Sequence, residues 1–256
     1  MIFDPDAKGS QLLSGRRALV TGASSGLGAH FAGVLGSAGA HVILAARRRD
    51  ALKAVAAGLS DKGISAEAIE LDVSDTEQVA TRCARLGAID ILVNNAGLVV
   101  SRSALAQTES DWDSVLDVNL KGMFFVAQSI ARLMVGNGGG AIINVASILG
   151  LRQGKGVLPY AVSKAGVIQM TKSMALEWAR EGIRVNALAP GYLSTDLNRG
   201  YFETEAGKAM IRRIPQRRLG HLTDLDGPLL LLASEFSRYM TGSVLVVDGG
   251  HVVSDL

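Results

Sequence analysis

Two kinds of segment alternate along the chain in their pattern of hydrophobic and polar positions. Short runs rich in Val, Ile and Leu occupy residues 16–21, 41–46, 66–71, 89–93, 141–145, 184–188 and 243–247. Segments with apolar residues at helical spacing lie between them, at residues 27–37, 50–62, 76–86, 111–134, 160–180 and 225–233. Apolar strands separated by helices are typical of parallel sheets that are covered on both faces. We therefore predict an α/β fold with a doubly wound parallel sheet of about seven strands.

The same pattern predicts one domain rather than several. No change in composition and no linker rich in Pro, Gly or Ser divides residues 15–256, and residues 1–14 are expected to form an N-terminal tail. Residues 197–219 are the one long stretch that the alternation of strands and helices does not explain. Long connections of this kind are often functional, so we predict a lid over the substrate there.

Composition narrows the classes of partner. The 256 residues are 48% hydrophobic and 20% charged, as in globular proteins with a sizeable core, and the net charge is only +2. There is no long basic run of the kind that binds nucleic acid. The longest apolar run, residues 229–233, is too short to cross a bilayer, and residues 1–14 lack the apolar core of a signal peptide. We expect no nucleic-acid or membrane partner, no metal site and a cytoplasmic location.

A glycine-rich turn follows the first predicted strand, with the sequence T-G-A-S-S-G-L-G at residues 21–28. Gly22 permits a tight turn, Gly26 lets the backbone approach a pyrophosphate, and Gly28 lets the next helix pack closely. The free N–H groups at the start of that helix favour a phosphate. A turn without any ligand is the alternative for this motif taken alone. The predicted dinucleotide contacts in the turn are Gly22, Ser24, Ser25, Gly26, Leu27 and Gly28.

Residues 22–26 also match G-x-S-x-G, the nucleophile elbow of serine hydrolases. In that interpretation Ser24 is a nucleophile, and His221 or His251 is its base. An elbow needs earlier strands and an earlier loop that supplies oxyanion donors, and only one strand is predicted before residue 22. The position in the chain therefore favours phosphate binding over hydrolysis.

Further motifs follow the later strands in a fixed order. N-N-A-G stands at residues 94–97, a serine at 147, Y-A-V-S-K at 160–164 and Pro-Gly at 190–191. Together with the glycine turn, this ordered set resembles the short-chain dehydrogenase/reductase family over roughly residues 15–250. The resemblance implies a Rossmann-like sheet. Each motif falls at the carboxyl end of a predicted strand, which is where open α/β sheets bind their ligands.

Tyr160 and Lys164 are four positions apart in a predicted helix, so their side chains share one face. A lysine cation near the phenol favours the phenolate and moves its pKa toward a range useful for general acid/base catalysis. Ser147 would hydrogen-bond the substrate oxygen and orient it. The resemblance implies that Lys164 also holds the nicotinamide ribose and that Asn119 completes a proton relay through water. The alternatives are an interface tyrosine beside a solvated lysine, a turn serine, and a turn or capping asparagine.

The resemblance implies further cofactor contacts at the ends of other strands. Asp72 and Val73 would meet the adenine, although a helix N-terminal cap is the alternative role for Asp72. The segment after the fourth strand would pass the adenine ribose, and the segment after the sixth would contact the nicotinamide carboxamide or the phosphates. In the latter, Leu193 replaces the family's usual Ile or Val. The contacts predicted in these two segments are Asn94, Ala96, Gly97, Pro190, Gly191, Leu193 and Thr195.

The end of the second predicted strand favours NADP(H) as the cofactor. NAD enzymes usually place an acidic residue about 20 residues beyond the glycine motif, where it binds the ribose hydroxyls. This chain has Ala46 there, followed by Arg47, Arg48 and Arg49. Arg47 is well placed to form charge-assisted hydrogen bonds with a 2′-phosphate. Some NADP enzymes of the family carry a second basic residue in the glycine turn, where this chain has Ser25, so we expect a preference that still permits NAD(H). A solvated helix entrance is the alternative interpretation of the arginine run.

These observations predict an NADP(H)-dependent oxidoreductase, a carbonyl reductase that transfers a hydride between nicotinamide and a ketone or secondary alcohol. A 3-oxoacyl thioester reductase is the alternative enzyme. Basic residues within 197–219 would attract an acidic carrier, but the run G-N-G-G-G at 136–140 lacks the basic residues that such reductases usually have there. A nucleotide-sensing regulatory protein is the non-enzymatic alternative, and it would have no need for the proton relay.

The resemblance also implies a homo-oligomer, and specifically a tetramer. The two long predicted helices, residues 111–134 and 160–180, carry apolar residues on more than one face. A helix that is apolar on several faces usually packs against a partner on each of them. Packing of both helices on the sheet alone is the alternative.

Overall fold

The computed structural model describes residues 11–194 and 199–254, which contain a parallel sheet of seven strands in the order β3-β2-β1-β4-β5-β6-β7. The predicted doubly wound sheet is therefore confirmed. The strand order reverses between β1 and β4, and such a switch point opens a crevice at the carboxyl ends of the strands. The strands are β1 (Arg17–Thr21), β2 (His41–Ala46), β3 (Ala66–Glu70), β4 (Ile91–Asn94), β5 (Gly140–Val145), β6 (Ile183–Pro190) and β7 (Val244–Val247).

Helices cover both faces of the sheet. On one face, Val20 and Leu44 pack in a buried cluster with helix residues Phe31 and Leu229. On the other face, the adjacent strand residues Leu19 and Ile43 belong to a second buried cluster. Burial on both faces explains why the strands read as apolar runs. The described α-helices are α1 (Gly26–Ser37), α2 (Arg49–Ser60), α3 (Thr76–Cys83), α4 (Glu109–Leu116), α5 (Met123–Val135), α6 (Leu158–Trp178), α7 (Arg199–Glu203), α8 (Glu205–Ile211) and α9 (Asp226–Ala233).

The helix predicted over residues 111–134 is present without a break, but one part of it is more widely wound. A π-helical segment, Asp117–Gly122, separates α4 from α5. Asn119 lies in this segment, fully buried, and its amide pairs with both main-chain groups of Leu98: Oδ1 accepts from the Leu98 N–H and Nδ2 donates to the Leu98 carbonyl, each at 2.8 Å. Gly122 lies so close to the Val73 carbonyl that a Cβ would overlap it. The wide turn therefore brings Asn119 against the loop after β4, a placement that helical periodicity does not reveal.

Two segments outside the predicted elements also have structure. From Arg199 onward, the segment predicted as a lid contains α7 and α8, and Thr204 caps α8 by accepting from the Gly207 N–H at 3.1 Å. Residues 197 and 198 lie outside the described residues. In the predicted N-terminal tail, Leu13 is 2% exposed and its N–H donates to the Ala38 carbonyl at 2.8 Å. The end of the predicted tail, at Leu13, therefore packs on the core.

Within residues 11–194 and 199–254, no helix has the length and hydropathy needed to cross a membrane.

Candidate active site

The loops predicted to bind a dinucleotide meet at the carboxyl ends of β1 and β4. Thr21, the last residue of β1, is the link between them. Its Oγ1 accepts from the N–H groups of Asn95 and Ala96 at 2.9 and 3.0 Å, and its carbonyl accepts from Asn95 Nδ2 at 2.9 Å. The glycine turn and the N-N-A-G loop are thus held side by side at the switch point of the sheet.

The glycine turn has the open space and the donors that a pyrophosphate needs. Gly22 and Gly26 have φ of +66° and +54°, which L side chains rarely adopt. A Cβ on Gly28 would overlap the Gly22 carbonyl, whereas a Cβ on Gly26 would meet no atom within 4 Å. Ser25 precedes α1 without a side-chain capping bond, so it leaves the first N–H groups of the helix to a ligand. Leu27 is half-buried and packs against the core.

Arg48 reaches the glycine turn, a contact that sequence reasoning missed. Its Nη2 donates to Ser24 Oγ at 2.9 Å and to Ser25 Oγ at 2.7 Å. A guanidinium group therefore lies against both serines of the turn. The run of three arginines was the available signal, but only the fold shows which of them points to the turn.

Arg47 and Asp72 face each other across the ends of β2 and β3. Arg47 is 66% exposed, and its Nη1 lies 3.9 Å from Asp72 Oδ2. The other oxygen of Asp72 accepts from the N–H and the hydroxyl of Ser74, at 3.0 and 2.6 Å. The helix cap is instead Asp75, which accepts from the Gln78 N–H at 2.9 Å, so a capping role for Asp72 is wrong.

Asn94 and Gly97 bracket the N-N-A-G loop. Asn94 is 1% exposed and its Nδ2 donates to the Met123 carbonyl at 2.7 Å, which ties β4 to α5. The amide nitrogen of Asn94 therefore donates its hydrogen bond within the protein interior and not into the crevice. At Gly97 a Cβ would lie 3.3 Å from Asn119 Oδ1 and 3.7 Å from Lys164 Nζ. Gly97 therefore lines the space beside the predicted catalytic lysine.

The structure brings together Ser147, Tyr160 and Lys164 as predicted. Ser147 follows β5 and is 8% exposed, and its Oγ accepts from the Leu149 N–H at 3.1 Å. It also hydrogen-bonds Tyr160. Lys164 is 3% exposed and donates from Nζ to the Val145 carbonyl at 2.7 Å, with Nζ 5.6 Å from the centre of the Tyr160 ring. A buried lysine held below the phenol is not the solvated surface residue of the alternative interpretation.

Asn119 belongs to the same group of side chains. Besides its bonds to Leu98, its Nδ2 lies 3.2 Å from Ser163 Oγ, and that hydroxyl donates to the Tyr160 carbonyl at 2.7 Å. The π-helical turn and the start of α6 are therefore joined directly beneath the tyrosine.

Burial dominates the pKa shifts in this group. Burial raises the pKa of Tyr160 above its ordinary value, the hydrogen bond with Ser147 opposes that shift, and nearby Tyr192 adds to it. Burial also lowers the pKa of Lys164 from 10.5 to about 8. The expectation that Lys164 lowers the pKa of the phenol is therefore wrong for the protein alone. The phenol stays protonated at neutral pH, which suits a proton donor.

The segment after β6 closes the site on the other side. Pro190 ends β6, and a Cβ on Gly191 would lie 2.7 Å from Asp248 Cβ, so only glycine allows this approach to the end of β7. Leu193 is half-buried and forms a β-bridge with Gly220. Thr195 lies outside the described residues.

Two other site types find no support in the geometry. Ser24 Oγ, the hydrolase candidate, accepts from Arg48, and none of the hydrogen bonds among the described residues joins it to a histidine that could act as its base. In the described part of the chain, no three His, Cys, Asp or Glu side chains are grouped so that they could hold a metal ion.

Comparisons with known proteins agree with this geometry. The family profile described as Enoyl-(Acyl carrier protein) reductase matches residues 22–252. Gluconate 5-dehydrogenase of Gluconobacter oxydans is 38% identical over 94% of this chain and 96% of its own length. A 3-oxoacyl-(acyl-carrier-protein) reductase of Thermotoga maritima is 39% identical over 94% of this chain and 99% of its own length.

A solved structure extends the similarity to three dimensions. The crystal structure of a gluconate 5-dehydrogenase from Burkholderia cenocepacia, in complex with NADP and tartrate, superposes with a TM-score of 0.92. The two chains are 39% identical, and the match covers 97% of this chain and 99% of that one. Sequence, fold and the arrangement of Ser147, Tyr160 and Lys164 lead to the same conclusion. The chain is an oxidoreductase that belongs to the short-chain dehydrogenase/reductase family.

Proposed function

We propose that this protein is an NADP(H)-dependent oxidoreductase that interconverts a ketone and a secondary alcohol. The observation that supports this most directly is the contact of Ser147 and Tyr160, with Lys164 buried below them, at the crevice where the glycine turn opens. A regulatory protein that only senses a nucleotide would not need a protonated phenol beside an open binding site.

A bound nicotinamide would supply or accept the hydride, and the chain's own residues would handle the oxygen and its proton. Ser147 hydrogen-bonds the substrate oxygen and orients it toward Tyr160. The Tyr160 phenol, kept protonated by burial, donates its proton to the oxygen as negative charge develops on it. Lys164, below the ring, stabilises the phenolate that results, and we propose that it also holds the nicotinamide ribose. Asn119 fixes the loop beside Lys164 and would complete a proton relay through water.

A nicotinamide absorbance assay tests the proposal. Purified protein is incubated with NADPH or NADH and a panel of ketones, keto acids and 3-oxoacyl thioesters, and with NADP or NAD and the corresponding alcohols. We expect turnover of at least one carbonyl–alcohol pair. Binding of the dinucleotide without turnover of any substrate in the panel would favour the sensor.

Two substrate classes have specific support. The gluconate 5-dehydrogenase relatives favour a polyhydroxylated hydroxy acid, and the 3-oxoacyl reductase relative favours an acyl thioester. The second class has less support from this chain. Within the segment proposed as a lid, Lys208 pairs with Glu205 at 2.9 Å and Arg218 with Asp224 at 2.6 Å, so two of its cations are already neutralised.

The cofactor preference should depend on both arginines at the end of β2. Arg47 and Arg48 would both hold a 2′-phosphate, so we expect Arg47→Asp to lower the NADP preference at least tenfold, about 1.4 kcal/mol. Arg48→Gln should lower it as well, because the cation held by Ser24 and Ser25 is lost. The measurement is kcat/KM with NADPH divided by kcat/KM with NADH.

Arg49→Gln is the matched control, since Arg49 is an exposed first residue of α2. Its ratio of kcat/KM values should equal that of the wild type. A wild-type enzyme that uses NADH as well as or better than NADPH would overturn this assignment of the end of β2.

We also propose a homotetramer in the cytoplasm. Exposed apolar side chains lie on α4 and α6: Trp112 is 39% exposed, Leu158 and Val162 are each 42% exposed, and Leu176 is 83% exposed. Neighbouring helices with such residues are expected to pack against a second copy. Light scattering at micromolar concentration should give about four times the chain mass of 26.8 kDa. A monomer mass would refute the assembly.

A further inference from the structure

His251 follows β7 and lies in the protein interior, where its side chain lacks a hydrogen bond. The residue is 5% exposed, and its ring atom Nδ1 is buried without any hydrogen-bond partner. Either neutral tautomer leaves that atom unpaired, as a donor or as an acceptor. Buried polar groups are almost always satisfied, and an exception needs an explanation. A ring nitrogen without a partner, next to a binding crevice, points to a bound ligand that supplies the missing hydrogen bond.

The surroundings of His251 carry an excess of positive charge. Arg152 donates from Nη1 to the His251 carbonyl. The charges of Arg152 and Arg213 act with burial to lower the pKa of the imidazole, and Asp248 opposes them. Both carboxylate oxygens of Asp248 already accept main-chain N–H groups, at 2.8 and 2.6 Å. Two positive charges therefore lie near the histidine, against the one negative charge of Asp248.

This group of residues adjoins the catalytic side chains. Arg152 lies in the turn that begins at Ser147, and its N–H donates to the Ile148 carbonyl at 2.8 Å. On the other side, the ring of Tyr192 is 5.6 Å from that of His251, and Tyr192 is also close enough to raise the pKa of Tyr160. Tyr192 therefore lies near both His251 and Tyr160.

We propose that Arg152 and His251 form the anion-binding end of the substrate pocket and take the carboxylate of a hydroxy acid or oxo acid. This rests on the function proposed above, whose reacting carbon would lie at Ser147 and Tyr160. A guanidinium group matches a carboxylate geometrically, and a charge-assisted hydrogen bond is stronger than a neutral one. Arg213, in the segment proposed as a lid, adds positive charge near this group.

The test uses short hydroxy acids, each paired with its own primary amide, which has nearly the same shape but no charge. Binding to the NADP-loaded protein is measured by calorimetry, and kcat/KM is measured for the same pairs. For the wild type we expect the best acid to bind at least about tenfold more tightly than its amide. Arg152→Gln should abolish that ratio, and Arg152→Lys should restore part of it, whereas amide binding and NADP affinity should stay within about threefold of wild type. His251→Phe should weaken binding of the acid more than binding of the amide.

Arg82→Gln, a substitution of an exposed arginine on α3, is the control for loss of a positive charge elsewhere. It should leave the ratio of acid to amide binding unchanged. Equal affinity for acid and amide in the wild type, or an unchanged ratio in a folded Arg152→Gln protein, would overturn the proposal. Because binding is measured separately from turnover, a protein that binds the acids but oxidises none of them would refute the proposed function and keep the anion site.

Discussion

Tyr160→Phe is expected to abolish turnover while leaving the fold and NADP binding nearly unchanged. The substitution removes one hydroxyl, which is the group that meets Ser147 at the site. Without it, no protein group in this arrangement can protonate the developing alkoxide, and loss of a general acid typically lowers rates by 10²–10⁴-fold. We therefore expect kcat to fall by at least about 10²-fold, in an absorbance assay with saturating cofactor.

The control separates this loss from a general effect of removing a phenol. Tyr239 is fully exposed, so Tyr239→Phe should retain full activity. NADPH affinity, from a fluorescence titration, should agree between wild type and Tyr160→Phe within about threefold, or roughly 0.7 kcal/mol. Near-normal activity of Tyr160→Phe would exclude Tyr160 as the proton donor.

The parts of the site that the sequence predicted are those set by local geometry. A Y-x-x-x-K spacing places Tyr160 and Lys164 on one face of any helix, and Gly22 and Gly28 are required wherever a strand turns tightly into a helix. The ends of parallel strands meet at one edge of the sheet, so the order of the motifs was enough to predict their convergence. The seven-stranded sheet could be predicted for the same reason.

The parts that could not be predicted depend on the direction of a side chain in the folded protein. Arg47 and Arg48 are adjacent in the sequence, yet one lies near Asp72 and the other reaches the serines of the glycine turn. Asn94 follows the family motif, but its amide nitrogen donates into the interior. Helical periodicity predicted the helix through Asn119, but it did not predict the wider π-helical turn in which the Asn119 amide pairs with the main chain of Leu98.

The direction of the pKa shift of Tyr160 could not be predicted from the sequence either. From spacing alone, the lysine charge was expected to favour the phenolate and so lower the pKa of the phenol. In the structure Lys164 is buried and Tyr160 is largely covered, and desolvation raises the pKa of the phenol and lowers that of the amine. At pH 7 the phenol is therefore neutral, whereas Lys164, with a pKa of about 8, is still mostly charged and is held in that state at a cost. The resulting cost to stability can be measured at Lys164.

Lys164→Met is expected to eliminate turnover and, in the cofactor-free protein, to stabilise the fold. The activity loss should be at least about 10²-fold, because the phenolate then lacks its cation. Burial lowers the pKa of Lys164 from 10.5 to about 8. At pH 7 the charged amine therefore destabilises the folded state by about 3 kcal/mol relative to an uncharged side chain. Loss of the hydrogen bond to the Val145 carbonyl offsets about 1 kcal/mol, so a net gain of about 2 kcal/mol is expected.

The difference in stability between Lys164→Met and the wild type should depend on pH in a definite direction. Between about pH 8 and 10.5 the unfolded chain holds a proton on Lys164 that the folded chain has lost, so the wild type gains stability as pH rises through that window. The methionine variant has no such group, and its advantage should be full below pH 8 and should shrink above it. Urea unfolding of both apo proteins at one protein concentration, at pH 7, 8 and 9, measures the difference. An advantage that grows with pH, or a variant less stable than wild type at pH 7, would show that the buried amine is not the destabilising cation inferred from its environment.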